Sequence, residues 1–337
     1  MKIKVAVLGA TGYAALELLR ILHRHPSVEV VAATSRENTN RLDEIHPSLT
    51  GWYSISCENL GPKDLATRGV DAVFSCLPHT ATAAVAPELL ELGMKVVDFG
   101  ADYRLNDAAV FNKWYNVTHP DPERLPQTPY GLPELFRDAI RGASLVANPG
   151  CYPTSAILPL APLLKGGYVA SDEIIIDSKS GVSGAGRKPS MKTLYPECNE
   201  SIAAYGVGTH RHTPEIEEVL TTASGRATSV IFTPHLTPMD RGILTTAYAR
   251  QTKEASEAEI IAYLRDFYKD EPFAQVVDAL PATKDVIHTN RCHMTARVVK
   301  GRVITISAID NLIKGAAGAA VQNFNLIYGL EETTALL

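Results

Sequence analysis

Apolar residues at the start of the chain occur in short runs separated by glycines and by amphipathic segments. Ile3–Leu8 is a compact apolar run, and after a glycine-rich turn leucines recur at helical spacing up to Leu22. Val28–Thr34 is a second such run. Short apolar runs are typical of strands buried on both faces, and leucines three and four residues apart are typical of helices. The pattern predicts a strand–turn–helix–strand unit of about thirty residues.

The same alternation continues as far as residue 147. It predicts strands over Asp71–Leu77, Lys95–Phe99 and Leu145–Ala147, and a helix over Ala81–Leu92. Strands that alternate with helices indicate a parallel sheet with right-handed crossover connections. The proline-rich stretch 101–143 lacks this pattern, and it is predicted to run over the surface of the same domain.

The pattern changes after residue 150, where strands follow one another with fewer helices between them. Helices are predicted near 213–223 and 256–268, and Lys300-Gly301 predicts a tight hairpin turn. This order indicates a mostly antiparallel sheet backed by helices. The predicted strands are Glu173–Asp177, Ser229–Thr233, Ile243–Ala249, Met294–Val299 and Arg302–Ile309.

The two patterns predict an α/β protein of two domains, which agrees with a length of 337 residues. Residues 1–149 are predicted to form a Rossmann-type parallel-sheet nucleotide domain. A C-terminal helix over 312–337, rich in alanine and glycine, is predicted to pack back on it. Residues 150–311 are predicted to form an α+β second domain with a mostly antiparallel sheet.

Composition narrows the class of protein. The formal charge of -5 shows no excess of basic residues of the kind that binds nucleic acid or an anionic membrane. No uninterrupted apolar stretch of the sequence is long enough to span a bilayer. The first apolar run stops at Gly9, too early for a signal peptide. Five scattered cysteines fit reduced thiols better than a disulfide framework. A cytoplasmic protein is expected.

The turn after the first strand predicts a dinucleotide site. Gly9, Gly12 and Ala15 are spaced as in a nucleotide-binding turn, although Ala15 stands where a third glycine is common. Glycine permits the tight turn and lets a pyrophosphate approach the helix N-terminus. Thr11 and Tyr13 lie in the same turn. The alternative is a turn whose glycines serve only the packing of strand and helix. The position of the motif at the first strand–helix junction favours a dinucleotide site instead.

The end of the second strand favours NADP over NAD. NAD sites usually carry Asp or Glu there to bind the ribose 2′-hydroxyl. Here Thr34 is followed by Ser35 and Arg36, a hydroxyl and a guanidinium suited to a 2′-phosphate. The adjacent acidic residue, Glu37, weakens this argument. The alternative is that Arg36 is an exposed, solvated side chain that binds no ligand.

Cys151 is the predicted nucleophile. It follows Asn148-Pro149-Gly150 at a strand end and opens a helix, whose N-terminus favours a thiolate. A thiolate beside a nicotinamide can attack an activated acyl carbon and form a thioester, which hydride then reduces to an aldehyde. The alternative to a nucleophile is a small buried thiol with only a packing role. We predict this packing role for the other four cysteines: Cys57, Cys76, Cys198 and Cys292.

Two histidines are candidates for the general acid/base. His210 and His212 precede a helix for which Thr213 is the predicted N-cap and Pro214 the first residue. A metal site is an alternative, but no third ligand set with suitable spacing lies nearby. A purely structural role for both histidines is the other alternative.

Eight segments, in order over nearly the full length, give the chain a close resemblance to the N-acetyl-γ-glutamyl-phosphate reductase family. They are Gly9–Tyr13 with Glu17-Leu18, Val97–Leu105, Tyr130–Glu134, Asn148–Thr154, Ser180–Gly186, His210–Glu215, Pro234–Gly242 and Asp310–Gly318. The resemblance implies an aspartate-semialdehyde-dehydrogenase-like fold and a catalytic and dimerisation domain after residue 150. It implies NADPH-dependent reductive dephosphorylation of N-acetyl-γ-glutamyl phosphate in arginine biosynthesis, and a homodimer or homotetramer.

The resemblance also implies roles for single residues. Cys151 accepts the acyl group and His210 is the acid/base, with His212 the less favoured candidate and a substrate-binding residue. Arg104 binds the acyl phosphate, for which a planar bidentate donor is suited, and Asn148 orients the acyl oxygen. The remaining assignments are Ser183 and Gly184 in a second cofactor loop and Asn311 at the carboxamide.

Two other functions remain open from the sequence. An aspartate-semialdehyde dehydrogenase would share the domain plan and the thioester route, although the run His210–Glu215 favours the acetylglutamyl family. A non-catalytic NADP-sensing protein would keep the glycine turn and have an unreactive thiol at Cys151.

Overall fold

The polypeptide chain divides into two units, each built around its own sheet. The computed structural model describes residues 2–337. The first unit runs to Pro149 and also takes in Ala316–Leu337, and the second spans Gly150–Gly315.

The first unit contains a six-stranded sheet in which every paired strand is parallel. Its strands are β1 (Ile3–Leu8), β2 (Val28–Thr34), β3 (Cys57–Glu58), β4 (Ala72–Ser75), β5 (Lys95–Asp98) and β6 (Leu145–Ala147). The helices up to this point are α1 (Tyr13–Arg24), α2 (Leu42–Ile45), α3 (Pro62–Thr67), α4 (Ala86–Glu91), α5 (Ala108–Tyr115) and α6 (Pro133–Ile140).

The strand order of this sheet is β3-β2-β1-β4-β5-β6. The chain therefore reverses its direction of winding between β1 and β4, and ligands of such sheets bind at the carboxyl ends of the strands on either side of that point. The side chains of β1 from Val5 to Leu8 are buried on both faces, as its continuous apolar run requires. The predicted Rossmann-type sheet is confirmed.

The stretch 101–143 is buried over part of its length, and the prediction that it runs over the surface is wrong for that part. The Tyr103 hydroxyl donates to Asp121 Oδ2 at 2.7 Å, and His119 Nε2 lies 2.7 Å from the carbonyl oxygen of Asp102. Bonds from side chains thus hold buried residues in the parts of the stretch that lie outside α5 and α6, and no hydrophobic period marks those parts. Its fully or nearly buried side chains include Tyr103, Leu105, Phe111, Leu125, Leu132 and Ile140.

The second unit contains a seven-stranded sheet in the order β11-β12-β13-β10-β7-β9-β8. Four neighbouring pairs are antiparallel and two, β11 with β12 and β7 with β9, are parallel, so the predicted mostly antiparallel sheet is confirmed. The strands are β7 (Ile174–Gly181), β8 (Ala203–Ala204), β9 (Val230–Thr237), β10 (Ile243–Arg250), β11 (Ala274–Val276), β12 (Cys292–Val299) and β13 (Arg302–Ile309). The helices are α7 (Cys151–Lys165), α8 (Tyr195–Cys198), α9 (His212–Ser224) and α10 (Glu257–Phe267).

Helix α7 covers the inner face of this sheet, and its side chains from Tyr152 to Leu164 are all buried. Ser155 Oγ lies 2.7 Å from Thr245 Oγ1 on β10, and Ser307 Oγ on β13 donates to the Ser155 carbonyl oxygen at 2.6 Å. These bonds satisfy polar groups inside an otherwise apolar layer. No helix within residues 2–337 is both long and apolar enough to cross a bilayer.

The hairpin between β12 and β13 turns over two residues, as predicted. Lys300 and Gly301 have φ of 48° and 72°, and Val299 pairs directly with Arg302. Two successive positive φ angles give the turn a twist that matches the flanking strands.

The C-terminal segment begins with a π-helical turn, Ile313–Ala317, and continues as α11 (Gly318–Ile327). Helix α11 is buried along its whole length and packs on α1, α6 and β5 of the first unit. Its Phe324 ring lies 5.2 Å from the ring of Phe74 on β4. Alanine and glycine on α11 allow this close approach of helix and sheet.

Candidate active site

The turn between β1 and α1 is closed so tightly that only glycine fits its first position. Gly9 has φ of +71°, and a Cβ placed there would lie 2.7 Å from the carbonyl oxygen of Cys76. Gly12 is the N-cap of α1, and a Cβ there would meet nothing within 4 Å. The first glycine is therefore required by the fold of the turn, whereas the second leaves open space in front of the helix.

The N-terminus of α1 fits an anionic ligand. Its N-cap, Gly12, has no side chain with which to cap it, and its first turn has no acidic residue. The turn is held from the sides instead, because Thr34 Oγ1 accepts from Gly9 N at 3.3 Å and His46 Nε2 lies 2.8 Å from the Ala10 carbonyl oxygen. The first N–H groups of a helix have no intrahelical partner, and together with the helix dipole they suit a pyrophosphate.

The predicted cofactor residues Thr11 and Tyr13 lie in this turn, Thr11 half-buried and Tyr13 exposed. Ser35 Oγ accepts from Asn38 N at 3.1 Å, so this hydroxyl shapes its own loop. Arg36 is exposed, and no hydrogen bond or ion pair within residues 2–337 engages its guanidinium. Its side chain is therefore open to a ligand at the end of β2.

Arg104 and Asn148 are brought together in the first unit. Arg104 Nε donates to the Asn148 carbonyl oxygen and Nη2 to that of Phe99, both at 2.8 Å. The Asn148 side chain donates from Nδ2 to the Ala316 carbonyl oxygen and accepts from Asn323 at Oδ1, each at 3.1 Å. The Asn148 amide thus anchors the C-terminal segment, while two fixed N–H groups set the plane of the Arg104 guanidinium.

Two buried carboxylates next to Arg104 were not predicted as site residues. Asp102 accepts the backbone N–H groups of Thr80 at 2.6 Å and Ala83 at 2.9 Å, which holds residues 80–85 in turns where a helix was predicted. Asp98 accepts at Oδ1 from Thr82 and Gly100, and its Oδ2 has no hydrogen-bond partner within residues 2–337. Burial, with a smaller contribution from Asp102, raises the pKa of Asp98.

Cys151 is the first residue of α7, in the second unit, and Gly150 is its N-cap. The thiol-bearing residue is half-buried, whereas Cys57 and Cys292 are buried. Burial alone raises the pKa of the Cys57 thiol to about 11, while the position of Cys151 at a helix N-terminus favours its thiolate. Gly315 packs on it so closely that a Cβ at residue 315 would lie 2.8 Å from Cys151 Cβ.

Glu215 joins the start of α7 to the start of α9. Its carboxylate is 1% exposed and accepts the backbone N–H of Gly150 at Oε1, at 2.8 Å. The other oxygen, Oε2, lies 4.0 Å from Nε2 of His212. The two helices therefore begin side by side, with Cys151 at one N-terminus and the histidines at the other.

His210 lies in an aromatic enclosure that includes Tyr152, the residue after the predicted nucleophile. The ring of Tyr152, the residue after Cys151, is 5.7 Å from that of His210, and the ring of Tyr205 is 5.4 Å away. The Tyr205 hydroxyl donates to that of Tyr152 at 3.0 Å. Burial is the main cause that raises the pKa of Tyr205 to about 12, and negative charge on Cys151 adds to it. Cys151 and His210 therefore share the same neighbours.

Helix α9 starts two residues before the position predicted from its N-cap. Its first residue is His212, and Arg211 is the N-cap. The Thr213 hydroxyl, predicted to cap the helix, is buried and makes no hydrogen bond within residues 2–337. The N-cap prediction is wrong because Glu215, in the first turn, is turned towards Gly150 and the chain enters the helix earlier.

Ser183, Gly184 and Asn311 meet in one loop cluster of the second unit. Asn311 Nδ2 donates to Ser183 Oγ at 3.0 Å, and its Oδ1 accepts from Gly242 N at 2.7 Å. A Cβ at residue 184 would lie 2.8 Å from Ser180 Oγ. The cluster is anchored by Asp310, which accepts both Nε and Nη2 of Arg241 at 3.0 and 3.2 Å.

The arrangement supports acyl transfer to a thiolate better than metal chemistry. A half-buried thiol lies at the N-terminus of α7 and an imidazole lies just before the start of the neighbouring α9. Within residues 2–337 no three His, Cys, Asp or Glu side chains are grouped to hold a metal ion. Sequence reasoning missed Glu215 and Gly315, which position the nucleophile. Both lie in segments that carry the family resemblance, His210–Glu215 and Asp310–Gly318. The neighbouring residues in the sequence do not distinguish them from residues that cap or pack a helix.

Two family profiles match the chain. One, described as semialdehyde dehydrogenase, NAD binding domain, covers residues 4–143, and the other, semialdehyde dehydrogenase, dimerisation domain, covers 151–311. Among curated relatives, the N-acetyl-γ-glutamyl-phosphate reductases of Rhodopirellula baltica and Moorella thermoacetica are each 51% identical, over 99% of this chain and 98% of theirs. That of Desulforudis audaxviator is 52% identical with the same coverage.

Solved structures share the fold at low sequence identity. Aspartate semialdehyde dehydrogenase II of Vibrio cholerae superposes with a TM-score of 0.74 at 17% identity, over 98% of this chain and 99% of that one. The aspartate semialdehyde dehydrogenase of Candida albicans, solved with NADP, gives 0.69 at 15%, over 97% and 99%.

Proposed function

This chain belongs to the N-acetyl-γ-glutamyl-phosphate reductase family, oxidoreductases with an NAD(P)-binding semialdehyde dehydrogenase domain, and we propose that it reduces N-acetyl-γ-glutamyl phosphate with NADPH. The product is N-acetylglutamate semialdehyde, and the reaction is a step of arginine biosynthesis. The intermediate is a thioester on Cys151, and His210 is the general acid/base.

The observation that carries the proposal is the bond from Gly150 N to Glu215 Oε1. It ties the helix that begins with Cys151 to the helix that follows His210, although the bonded residues lie 65 positions apart. A buried charged acceptor on a helix N-cap is a strong hydrogen bond. An inert core thiol needs no such arrangement.

The chemistry follows from the position of Cys151. Its thiolate attacks the acyl carbon, the C–O bond to phosphate breaks, and the phosphate leaves with a proton taken from solvent. Bound NADPH supplies the hydride that converts the thioester to a tetrahedral oxyanion. Collapse of that oxyanion expels the thiolate and releases the aldehyde, so Cys151 returns to its starting state.

Arg104 supports recognition of the acyl phosphate. A guanidinium has five N–H donors, and two of those of Arg104 are committed to carbonyl oxygens. Fixing the plane of the guanidinium in advance reduces the entropy that is lost when it binds a phosphate.

Arg36 supports a preference for NADP. Its exposed guanidinium lies at the end of β2, beside a hydroxyl and with no carboxylate bound to it within residues 2–337. Arg36→Glu is expected to raise KM for NADPH at least ~10-fold and to leave that for NADH unchanged or lower. Lys63→Glu, an exposed charge reversal on α3, is the control. Unchanged discrimination in Arg36→Glu would reject this pocket.

The test of the function is an assay in the reverse direction. The purified chain should reduce NADP with N-acetylglutamate semialdehyde and phosphate, and aspartate semialdehyde should give little turnover. Cys151→Ser is expected to abolish turnover and keep NADPH affinity, whereas Cys198→Ser, a half-buried thiol elsewhere in the second unit, should be fully active. Preference for aspartate semialdehyde would identify the other enzyme class.

The NADP-sensing alternative is tested by thiol reactivity. A nucleophile at a helix N-terminus should react with iodoacetamide well below pH 8, and Cys151→Ser removes that reaction. A labelling midpoint near ~8.5, the value of an ordinary cysteine, together with no turnover would favour the sensor.

The outer face of the second sheet supports a homo-oligomer. Ile175 on β7 and Ile231 on β9 pair directly and are 41% and 57% exposed. We assign this face to a second copy of the chain, as a homodimer or as part of a homotetramer. Ile231→Asp should lower the mass in sedimentation velocity, and Val117→Asp, at an exposed site of the first unit, should not. A monomeric wild-type protein would contradict the assignment.

The cysteines support a cytoplasmic location. None of the five forms a disulfide in residues 2–337, which fits a reducing compartment.

A further inference from the structure

The two buried carboxyl groups at and just after the end of β5, Asp98 and Asp102, are bonded unequally. Both oxygens of Asp102 accept backbone N–H groups, from Thr80 at 2.6 Å and from Ala83 at 2.9 Å. Asp98 accepts hydrogen bonds at Oδ1, whereas its Oδ2 is buried and has no hydrogen-bond partner within residues 2–337. N–H donors stabilise a charged carboxylate, and a buried charge without a donor is costly. This pattern fits an ionised Asp102 and a proton on Oδ2 of Asp98.

The two side chains lie close together around Gly100. A Cβ at residue 100 would lie 2.9 and 3.4 Å from the two carboxyl oxygens of Asp98, and 3.5 Å from Oδ1 of Asp102. Both residues are 0% exposed, so water does not screen one charge from the other. Two carboxyl groups in one buried site do not both ionise readily, and the pKa of one of them rises.

The titratable groups around Asp98 leave this proton in place. Burial, followed by the charge of Asp102, raises the pKa of Asp98. The hydrogen bonds that Asp98 accepts and the charge of Arg104 act in the opposite direction, each with a smaller effect. Cys76, after the end of the neighbouring β4, and Tyr103 are neutral at neutral pH, because burial raises the pKa of each.

The elements packed against β5 add no buried charge near this pair. The neighbouring strand β6 and the helix α11 carry no titratable residue. Helix α4 carries Glu88 and Glu91, neither of which is buried. Lys95 lies at the opposite end of β5, where its Nζ donates to the Ile327 carbonyl oxygen at 3.0 Å. Arg104 therefore offsets only part of the cost of a second negative charge.

The loop that follows β4 lies against the glycine turn. Cys76 N donates to the carbonyl oxygen of Leu8 at 2.8 Å, which joins the ends of β4 and β1. A Cβ at Gly9 would lie 2.7 Å from the carbonyl oxygen of Cys76 and 3.3 Å from Leu77 N. Since β1 and β4 flank the point where the winding reverses, a dinucleotide held by the turn also lies beside this loop.

Asp98 and Asp102 hold that loop in a strained conformation. Thr80 has φ of 72°, a left-handed conformation that is costly for a β-branched residue. Asp102 accepts its N–H, and the Thr82 hydroxyl donates to Oδ1 of Asp98 at 2.7 Å. Strain of this kind persists only where the surrounding structure imposes it. The conformation of the loop therefore depends on both carboxyl groups.

We propose that Asp98 carries a proton beside the ionised Asp102, that this pair positions residues 77–83 for NADPH, and that loss of the proton weakens NADPH binding. The inference rests on the proposed function, because it concerns the same cofactor. A second negative charge would repel Asp102 and release the loop that both carboxyl groups hold. It would also oppose an anionic dinucleotide at this end of the sheet. Both residues act through the loop and are positioning residues.

Infrared spectroscopy of the protein without cofactor tests for the proton. At pH 6 exposed carboxyl groups are ionised, since their pKa values lie near ~4, so a buried protonated acid remains visible as a C=O band. Asp98→Asn should remove this band, and titration of the wild type to pH 9 should remove it as well. Asp138→Asn, at a side chain that is 96% exposed, is the matched control and should keep it. Identical bands in the wild type and Asp98→Asn at pH 6 would overturn the inference.

Fluorescence titration with NADPH tests the positioning role. From pH 6 to pH 9 the wild-type Kd should rise at least ~5-fold, whereas that of Asp98→Asn, whose amide reproduces the neutral acid, should change less than about twofold. At pH 6 Asp98→Asn should bind as tightly as the wild type. Asp102→Asn places an amide N–H against a backbone N–H, so its Kd should be at least ~10-fold higher. Equal losses in the two Asn variants, or the same pH dependence in Asp98→Asn and the wild type, would refute the positioning role.

The two measurements must also agree with each other, because coupling between two sites is reciprocal. A ~5-fold effect on Kd requires bound NADPH to raise the midpoint of the infrared titration by about 0.7 pH units, the logarithm of that factor. An unmoved midpoint contradicts the inference. A wild-type protein that shows the band and binds no NADPH would overturn the proposed function, whereas tight NADPH binding without the band overturns this inference alone.

Discussion

Gly315 offers a direct test of how the nucleophile is positioned. A Cβ at residue 315 would lie 2.8 Å from Cys151 Cβ and 3.2 Å from its Cα, whereas ordinary contacts begin at 3.4 Å. Gly315→Ala must therefore move the two segments apart by about 0.6 Å, the difference between the two distances. The backbone itself accepts alanine, because the φ of Gly315 does not lie in the left-handed region.

The size of the effect follows from that displacement. A misplacement of ~1 Å can cost about 10²-fold in rate, so about 0.6 Å should lower kcat by about 10- to 100-fold. The overpacking should also destabilise the second unit by about 1–3 kcal/mol. Affinity for NADPH should be unchanged, since the glycine turn that supports its binding belongs to the first unit.

Three measurements check this prediction: kcat in the reverse direction, the rate at which iodoacetamide alkylates Cys151, and NADPH affinity by fluorescence titration. Gly61→Ala is the matched control, because its Cβ would meet only Asp64 Oδ2 at 3.7 Å and its φ is −89°. If Gly315→Ala retained kcat and alkylation rate within twofold of this control, Cys151 would not be positioned by the contact.

Three further predictions concern the turn, the helix start and the histidine. Gly9→Ala should weaken NADPH binding at least ~10-fold and destabilise the first unit by ~1–3 kcal/mol. The control is Gly93→Ala, because Gly93 has φ of +82° and open space around it. This control measures the cost of a positive φ angle without the steric clash. Glu215→Ala should lower unfolding free energy by about 2 kcal/mol because it leaves a buried N–H unpaired, and Glu215→Gln should cost less; equal losses would contradict this. The pKa of His210 is lowered from 6.5 to about 4 by folding. The unfolded chain therefore binds more protons than the folded chain below pH 6.5. The free energy of unfolding should fall by about 1–2 kcal/mol between pH 7 and pH 5. Urea unfolding of wild type and His210→Gln checks this, and an identical pH slope in both would refute it.

Local sequence patterns predicted several strands, because short apolar and alternating runs are readable along the chain. The bounds of β1, β2, β6 and β13 were predicted to the residue. The short strands β3 and β8 were not predicted, since two residues carry no period and become strands only through their partners. Likewise the helix predicted over Ala81–Leu92 is reduced to Ala86–Glu91, because Asp102 holds the preceding residues by their backbone N–H groups.

By itself, the order of residues determined the two-sheet plan, the glycine turn at Gly9, the hairpin at Lys300-Gly301 and the candidate thiol at Cys151. These features depend on periodicity and on steric limits among consecutive residues, which are readable along the chain. Only the tertiary structure decided which groups surround that thiol. Glu215 meets Gly150, and Gly315 meets Cys151, across long stretches of chain. Such contacts depend on how α7, α9 and the π-helical turn pack, and the same packing leaves His210 with a lone pair directed at a backbone N–H.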